Sequence, residues 1–243
     1  MIVSETQAAP ALPSATVVLL RDADRGPEIL MVKRRAGDAF GKRYTFPGGV
    51  VDADESRAHP YCDGITADAA NAMLKVVDGG LDYFSAVVRE LFEETGVLLA
   101  RDSDGGWPSI DGQLQEFRSD INAGRLAWPE FLEQQGLRVT CDELHYFYFL
   151  TTPLVMPKRW AVRFFLAESP AGHNAVHDGS ELTDSRWLTA DEALSSRKNG
   201  DMKIPWPTRQ ILKLLNGHDS VASLQDLARS RSAAGVDEIL VEM

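Results

Sequence analysis

A short acidic segment near residue 90 constrains this chain more than any other feature. Asp82 to Glu94 is predicted to be a helix, because apolar residues recur along it and Gly96, just past its end, suits a C-cap. Residues three and four apart share a helix face. The carboxylates of Glu90, Glu93 and Glu94 are therefore predicted to point toward one small volume.

Three like charges at this spacing destabilise an isolated helix, so they need compensation. A hard divalent cation such as Mg²⁺ or Mn²⁺ provides it, because these ions bind carboxylate oxygens together with water and phosphate. The alternative interpretation is a solvated acidic face, which is the commoner fate of a run of charges. The three glutamates alone leave both interpretations open.

The sequence upstream of the helix favours the metal site. Phe46-Pro47-Gly48-Gly49 is followed by Glu55, and later by Arg89-Glu90-Leu91-x-Glu93-Glu94-x-Gly96-Val97. Together these segments resemble the Nudix box, Gly-x5-Glu-x7-Arg-Glu-U-x-Glu-Glu-x-Gly-U, in which U is aliphatic. Every fixed residue type of the box is present. Glycines at its start allow the backbone to approach a phosphate or to pack tightly.

One spacing departs from the box. Thirty-three residues, 56 to 88, lie where the family usually has seven, which makes an insertion of twenty-six. A split box is similar to that of the peroxisomal acyl-coenzyme A diphosphatases. The segment Thr66 to Val77 has helical composition, so residues 56–81 are expected to form a helical insertion beside the metal site. It is expected either to shape specificity or to serve as a packing or dimerisation element.

The resemblance implies the fold class α/β, as a Nudix-type α/β/α sandwich around a mixed β-sheet. Residues 1–13 are expected to be a flexible tail, and residues 14–243 a single domain that ends in C-terminal helices over 205–243. Apolar and β-branched runs predict the strands. These are Ala15–Arg21, Glu28–Lys33, Leu144–Thr151, Trp160–Ala167 and Ser185–Leu188. Helical patterns predict the segments near Gly112–Asn122, Pro129–Gln135, Thr189–Arg197, Pro205–Asn216 and Ser220–Arg229.

The resemblance also implies roles for the charged residues of the box. Glu90, Glu93 and Glu94 are expected to bind Mg²⁺ or Mn²⁺, and Arg89 to orient a helix carboxylate by a charge-assisted hydrogen bond. Glu93 or Glu181, the latter in a polar loop before a predicted strand, is the candidate acceptor of a proton from water. The alternative for Glu181 is that it merely caps or solvates its loop.

Basic residues and the double glycine are the predicted substrate contacts. Arginine suits phosphate because its planar guanidinium offers a fork of donors. The alternative is that these arginines lie on solvent-facing ends and sides of strands. The predicted substrate-binding residues are Arg34, Arg35, Arg43, Gly48, Gly49, Arg159 and Arg163.

The expected activity is hydrolysis of the diphosphate bond in a nucleoside diphosphate derivative. The split box and the pattern Pro-x-Arg-x-x-x-Arg-Phe-Phe, residues 157–165, resemble the coenzyme A branch. They imply coenzyme A or its acyl esters as substrate, cleaved to 3′,5′-ADP and a phosphopantetheine product. ADP-ribose, NADH or another dinucleotide is the alternative substrate. A nucleotide-sensing module without hydrolysis is the alternative of another class.

Charge and composition exclude some classes of protein. The net charge of −11 argues against a general nucleic-acid binder, which needs clustered Lys and Arg. No apolar run approaches the length of a membrane span, and the start lacks the pattern of a secretory signal. Cys62 and Cys141 form no metal or redox motif and are expected to be reduced, buried thiols. Together with the resemblance, these observations predict a cytoplasmic enzyme that acts on a small-molecule nucleotide and has no nucleic-acid or membrane partner. A homodimer is compatible with them.

Overall fold

A mixed β-sheet between two layers of helices forms the body of the molecule. The computed structural model of the chain describes residues 9–36, 41–110 and 112–241. The strands are β1 (Ala11–Arg21), β2 (Glu28–Arg34), β3 (Tyr44–Thr45), β4 (Gly48–Val50), β5 (Cys62–Asp63), β6 (Ala100–Arg101), β7 (Arg138–Thr140), β8 (His145–Thr151), β9 (Arg159–Glu168), β10 (Leu182–Thr189) and β11 (Glu238–Leu240). The α-helices are α1 (Ala67–Leu74), α2 (Gly80–Thr95), α3 (Gly112–Asn122), α4 (Trp128–Gln135), α5 (Ala190–Asn199), α6 (Trp206–Leu215) and α7 (Val221–Ala234), and 3₁₀-helices span Glu55–Tyr61 and Cys141–Glu143.

The main sheet has the strand order β10-β2-β1-β9-β8-β11, with β3 paired to β2 and β4 paired to β1. Strand β1 is central: it runs parallel to β9 and antiparallel to β2 and β4. A smaller sheet of the order β5-β7-β6 lies apart from it within the described residues. The predicted mixed sheet is therefore confirmed.

Strand alternation explains why helices cover both faces of this sheet. Val17 and Leu19 of β1 pack into the core that contains α2, α3 and α4. Val18 and Leu20, one residue out of phase, pack into a second core with α5, α6 and α7. Successive side chains of a strand point to opposite faces, so one apolar run serves both layers. The predicted α/β/α sandwich is confirmed.

Helix α2 carries the acidic segment and is almost wholly buried. It begins at Gly80 and ends at Thr95, slightly longer at both ends than predicted. Gly96 adopts φ +75° and donates its N–H to the carbonyl of Phe92 at 2.8 Å, as a C-cap glycine does. Leu91 and Phe92 are fully buried, and the ring of Phe92 stacks on that of Phe131 of α4. Only Asp82 near its start and Glu90 and Glu93 near its end are half-buried; every other residue of the helix is buried.

The prediction of a flexible tail over residues 1–13 includes three residues that belong to a strand. Ala11 to Pro13 belong to β1, where they pair in parallel register with Arg159 to Ala161 of β9. The backbone hydrogen bonds offered by β9 order these residues, although their own side chains are only half-buried or exposed. Residues 1–8 lie outside the described part of the chain.

The prediction of helices over 205–243 is right for α6 and α7 and wrong for the last described residues. Glu238 to Leu240 form β11, which pairs in parallel with Phe149 to Thr151 of β8. Without β11, β8 would leave a row of backbone donors and acceptors unpaired at the edge of the sheet. Pairing of that edge, rather than helix propensity, decides the conformation of this segment.

The insertion is a compact unit with more than helical structure. It comprises most of the 3₁₀-helix Glu55–Tyr61, the short strand β5 and helix α1. Thr66 caps α1 by accepting the N–H of Ala69 at 3.2 Å, and Lys75 ends it at φ +55°. The predicted helix is present, but β5 pairs in parallel with β7 and so ties the insertion to the small sheet.

Two other expectations concern cysteines and membranes. Both Cys62 and Cys141 are free thiols; Cys141 is buried, whereas Cys62 is only half-buried. Among the described helices, none combines the length and the apolar character that crossing a bilayer requires.

Arg163 fastens the insertion to the main sheet. Its guanidinium donates to the carbonyl of Leu74, at the end of α1, at 3.0 Å. It also lies 4.4 Å from the ring centroids of Tyr83 on α2 and Phe149 on β8. A buried charge-assisted hydrogen bond and two cation–π contacts all depend on this one side chain.

Arg163→Ala is expected to lower the free energy of unfolding by about 2–4 kcal/mol, because it removes these contacts and leaves a buried carbonyl unpaired. Urea unfolding monitored by circular dichroism measures the change. Arg197→Ala, at an exposed position on α5, is the matched control and should change it by less than about 0.5 kcal/mol. Equal stability of the two variants would contradict the anchoring role.

Candidate active site

A pocket of about 1000 Å³ opens where the end of α2 meets β4, the start of β9 and the start of α6. Acidic side chains outnumber basic ones in its walls. The charged lining residues are Asp52, Glu90, Glu93, Glu94, Asp178, Glu181, Arg34, Arg35, Arg89 and Lys158. The structure thus brings together all three helix glutamates, Glu181, the double glycine and four of the basic side chains in one cleft.

Arg89 is the buried centre of this charge cluster. Its Nε donates to Glu55 at 3.1 Å, its Nη1 to Glu90 at 3.1 Å and to Glu93 at 3.3 Å, and its Nη2 to the carbonyl of Val50 at 3.1 Å. Burial opposes its charge, yet the facing carboxylates, Glu90 first, raise its pKa above the ordinary value. Arg89 therefore stays charged and fixes two carboxylates of α2.

Glu55 lies behind Arg89, where it has a structural role. Its second oxygen accepts a hydrogen bond from Ser85 Oγ at 2.7 Å, and Ser85 Oγ accepts one from Trp128 Nε1 at 3.0 Å. Burial raises the pKa of Glu55, while Arg89 and Ser85 lower it. The sequence analysis missed Ser85 and Trp128. Ser85 could have been found from its place four residues before Arg89 on one helix face.

Glu94 is the most deeply buried of the three helix glutamates. It accepts hydrogen bonds from Arg34 Nη2 at 3.0 Å and from the backbone N–H of Gly48 at 2.9 Å. Burial raises its pKa to about 7 even though these two donors lower it, and the nearby carboxylates of Glu181 and Asp178 raise it further. Burial therefore outweighs both donors at this position.

The double glycine allows the β4 loop to lie directly against the glutamates. A Cβ at Gly49 would lie 2.3 Å from the carboxylate of Glu90, and one at Gly48 would lie 2.3 Å from the carbonyl of Ala15. Gly48 also adopts φ +146°, which residues with a Cβ rarely adopt. Burial, followed by repulsion from Glu94, raises the pKa of Glu90 to about 8, while Arg89 lowers it.

Glu181 stands on a loop that its neighbours hold rigidly. The carboxylate of Asp178 accepts the backbone N–H groups of Glu181 and Leu182, each at 2.8 Å. Arg35 donates its side chain to the carbonyl of Gly179 at 2.5 Å and its own N–H to the carbonyl of Glu181 at 2.8 Å. The exposed side chain of Glu181 lines the pocket, as a candidate proton acceptor must.

The end of α2 is fixed from the other side by residues that the sequence analysis did not single out. Arg118 Nε and Asn122 Nδ2 donate to the carbonyl of Glu93 at 3.0 and 3.1 Å. The N–H of Asp178 donates to the carbonyl of Glu94 at 3.1 Å. Positive charge beside a helix C-terminus offsets its partial negative charge. The glutamates therefore project from a helix end with few free carbonyls.

Three of the predicted substrate contacts do not reach the pocket. Arg159 donates to the carbonyls of Thr152 and Ala9 at 3.2 and 2.9 Å and lines a separate cavity of about 310 Å³. Arg163 shares its face of β9 and is directed toward α1 and α2. The exposed side chain of Arg43 is absent from the lining. Strand alternation turns Trp160, Val162 and Phe164 toward the pocket, so Arg159 and Arg163 lie on the opposite face of β9, outside its lining.

The chemistry of the donor set fits a divalent cation, although no ready-made cage exists. Within the described ranges, no three or more His, Cys, Asp or Glu side chains surround a common point. Arg89 holds Glu90 and Glu93, and Arg34 holds Glu94, so each carboxylate faces a guanidinium. Burial also raises the pKa of Glu93. The clustered oxygens are the ligand type that Mg²⁺ and Mn²⁺ prefer.

Comparisons with known proteins agree with this geometry. The chain is similar to a NUDIX hydrolase from Alicyclobacillus acidocaldarius of known structure, with 23% sequence identity and a TM-score of 0.75 over 90% of this chain and 96% of that chain. It is also 25% identical over 200 residues to nudix hydrolase 7 of Caenorhabditis elegans. That match covers 80% of this chain and 57% of the relative. No family model matches the sequence.

The fold of the chain matches that of a Nudix hydrolase over nearly the whole length of both chains. The chain has the fold of a Nudix hydrolase, and the curated relative supports a place in that superfamily. The chain spans little more than half of that relative's length.

Proposed function

We propose that the chain is a divalent-metal-dependent pyrophosphohydrolase of a nucleoside diphosphate derivative. One observation carries the proposal: Glu90, Glu93 and Glu94 meet the Gly48-Gly49 backbone in a single cleft that also contains arginines. Such a cleft combines oxygen ligands for a hard cation with donors for phosphate. Buried carboxylates with raised pKa values that are grouped in a cleft are typical of functional sites.

Each side chain has a distinct role in this reaction. Glu90, Glu93 and Glu94 would hold Mg²⁺ or Mn²⁺, which supplies positive charge against the diphosphate and lowers the pKa of water. Arg89 orients Glu90 and Glu93 and keeps them on the side of the β4 loop. Glu93 or Glu181 accepts the proton of the attacking water. The site thereby relieves the repulsion between the diphosphate and its nucleophile.

We propose coenzyme A or an acyl-coenzyme A as the substrate, with 3′,5′-ADP and a phosphopantetheine product. The split box supports this choice, and so does the size of the pocket, which lies at the upper end of the range for small-molecule sites. Arg34 and Arg35, which line it, are the arginines placed to contact phosphate oxygens. ADP-ribose or a dinucleotide such as NADH is the alternative that this pocket also accommodates.

The double variant Glu93→Gln/Glu94→Gln is expected to abolish turnover, with kcat falling at least about 10³-fold, because it removes two anionic oxygen ligands. Product analysis of coenzyme A with Mg²⁺ or Mn²⁺ measures it. Circular dichroism should show a retained fold, since Gln keeps the shape of each side chain. The exposed pair Glu116→Gln/Glu133→Gln is the control. Normal turnover in the double variant would refute the mechanism. If the wild type binds nucleotide but forms no product, a sensing module is favoured instead.

Added Mg²⁺ or Mn²⁺ is expected to stabilise the wild type against heat. A cation at a hundred-fold excess over its Kd contributes about 2.7 kcal/mol, which corresponds to a rise of several degrees in Tm. Differential scanning fluorimetry with and without EDTA measures the shift. The Glu93→Gln/Glu94→Gln variant should lose most of it. Equal shifts in both proteins would place the cation elsewhere.

A substrate panel separates the two substrate classes. Coenzyme A is expected to have a kcat/KM at least about tenfold higher than that of ADP-ribose or NADH, because the basic lining offers a contact for its extra phosphate. Chromatography of the products at fixed Mn²⁺ provides the ratio. A preference for ADP-ribose would end the coenzyme A proposal and leave the reaction class intact.

A further inference from the structure

The pocket extends well beyond the glutamates, along the face of the main sheet. Gly49 of β4 pairs with Ala15 of β1, and Trp160 of β9 pairs with Leu12 of the same strand. Gly49 and Trp160 are therefore separated by two strand spacings across the sheet and by three residues along the strands. Strand spacing of about 4.8 Å and rise of about 3.3 Å per residue put them roughly 14 Å apart. This reach is much longer than a diphosphate group needs.

The floor of this extension is apolar and ends in an aromatic ring. Val162 and Phe164 face the pocket from β9, and Leu150 of β8 lies beside Val162. Trp160 follows in the same row, with its backbone N–H bound to Thr152 Oγ1 at 2.9 Å. A half-buried indole at the end of an apolar strip offers a flat surface on which a planar ring can stack.

Lys158 closes this end of the pocket, and among the described residues it is the one cation of the lining without an ion pair or hydrogen bond. Arg34, Arg35 and Arg89 all donate hydrogen bonds to carboxylates or carbonyls. Lys158 Nζ lies 5.5 Å from the ring of Trp160, and no described residue forms an ion pair or hydrogen bond with it. An exposed ammonium beside a ring, far from the acidic cluster, is poised to meet an anion that accompanies a planar group.

We propose that Trp160 and Lys158 form the specificity subsite for the nucleoside end of the substrate. Trp160 stacks on the base, and the Lys158 ammonium binds a phosphate carried by the ribose, apart from the diphosphate that is cleaved. The inference rests on the proposed function, since the subsite is located by its distance from the glutamates that would hold the metal ion at the scissile diphosphate. In this proposal Lys158 is the source of phosphate selectivity, in place of Arg159 and Arg163, which occupy the opposite face of β9.

The chemistry of the substrate's two ends favours this orientation. The pantetheine end of coenzyme A is uncharged, so an ammonium adds nothing to its recognition. The other end has an aromatic base and a 3′-phosphate, which match a ring and a neighbouring cation. A nucleotide without that extra phosphate would contact Trp160 and leave Lys158 unused.

The test compares coenzyme A with dephospho-coenzyme A, which differs only by the 3′-phosphate. Wild type should prefer coenzyme A in kcat/KM, and Lys158→Ala should reduce that ratio about tenfold, mainly through KM, whereas Lys158→Arg should restore most of it. Calorimetry of 3′,5′-ADP and AMP gives a readout without turnover: Lys158→Ala should weaken 3′,5′-ADP about tenfold relative to AMP. Lys198→Ala, an exposed lysine on α5, is the matched control and should keep both ratios.

The outcomes separate the subsite from the reaction itself. A wild-type ratio near one, or an unchanged ratio in Lys158→Ala with normal turnover, overturns the role of Lys158 and leaves the hydrolase proposal standing. Trp160→Leu should raise KM for both coenzyme A substrates together, and unchanged KM values would remove Trp160 from the subsite. Absence of turnover for every nucleoside diphosphate derivative in the wild type would count against the proposed function instead.

Discussion

The buried guanidinium of Arg89 is the interaction on which the arrangement of the site depends. It reaches Glu55 before the insertion, the backbone of β4, and Glu90 and Glu93 on its own helix. A charge that is more than nine-tenths buried is tolerated only because carboxylates surround it on several sides. The same pairing keeps the carboxylates at the pocket wall when no cation neutralises them. The guanidinium of Arg89 therefore serves both the stability of the fold and the proposed chemistry.

Side-chain alternation on β9 decides which residues can act in the pocket. Arg159 and Arg163 occupy one face and serve backbone carbonyls, whereas Trp160, Val162 and Phe164 occupy the other face and form the floor. Either set could have faced the cleft on sequence grounds, because both faces of this sheet are covered by helices. A shift of register by one residue would exchange the two sets.

The predictable part of the structure is the part that local sequence encodes. The helix with its C-cap Gly96, and the grouping of Glu90, Glu93 and Glu94, follow from helical spacing within a single turn or two. The edge strand β11 and the orientation of Arg163 depend on partners more than eighty residues away, which no local pattern reveals. The sequence analysis did not single out Lys158 for a similar reason. Only its position beside the pocket distinguishes it from other exposed lysines.

The split motif works because buried contacts close the insertion at its base. Glu55 lies just before the inserted residues, and Ser85 and Arg89 lie after them, yet their side chains meet at 2.7 and 3.1 Å. Lengthening a loop from seven to thirty-three residues costs only about 1.4 kcal/mol in closure entropy. The packing of the insertion itself, with Arg163 bound to the end of α1, offsets a cost of this size. The sequence spacing of the motif can therefore change greatly while its atoms stay together.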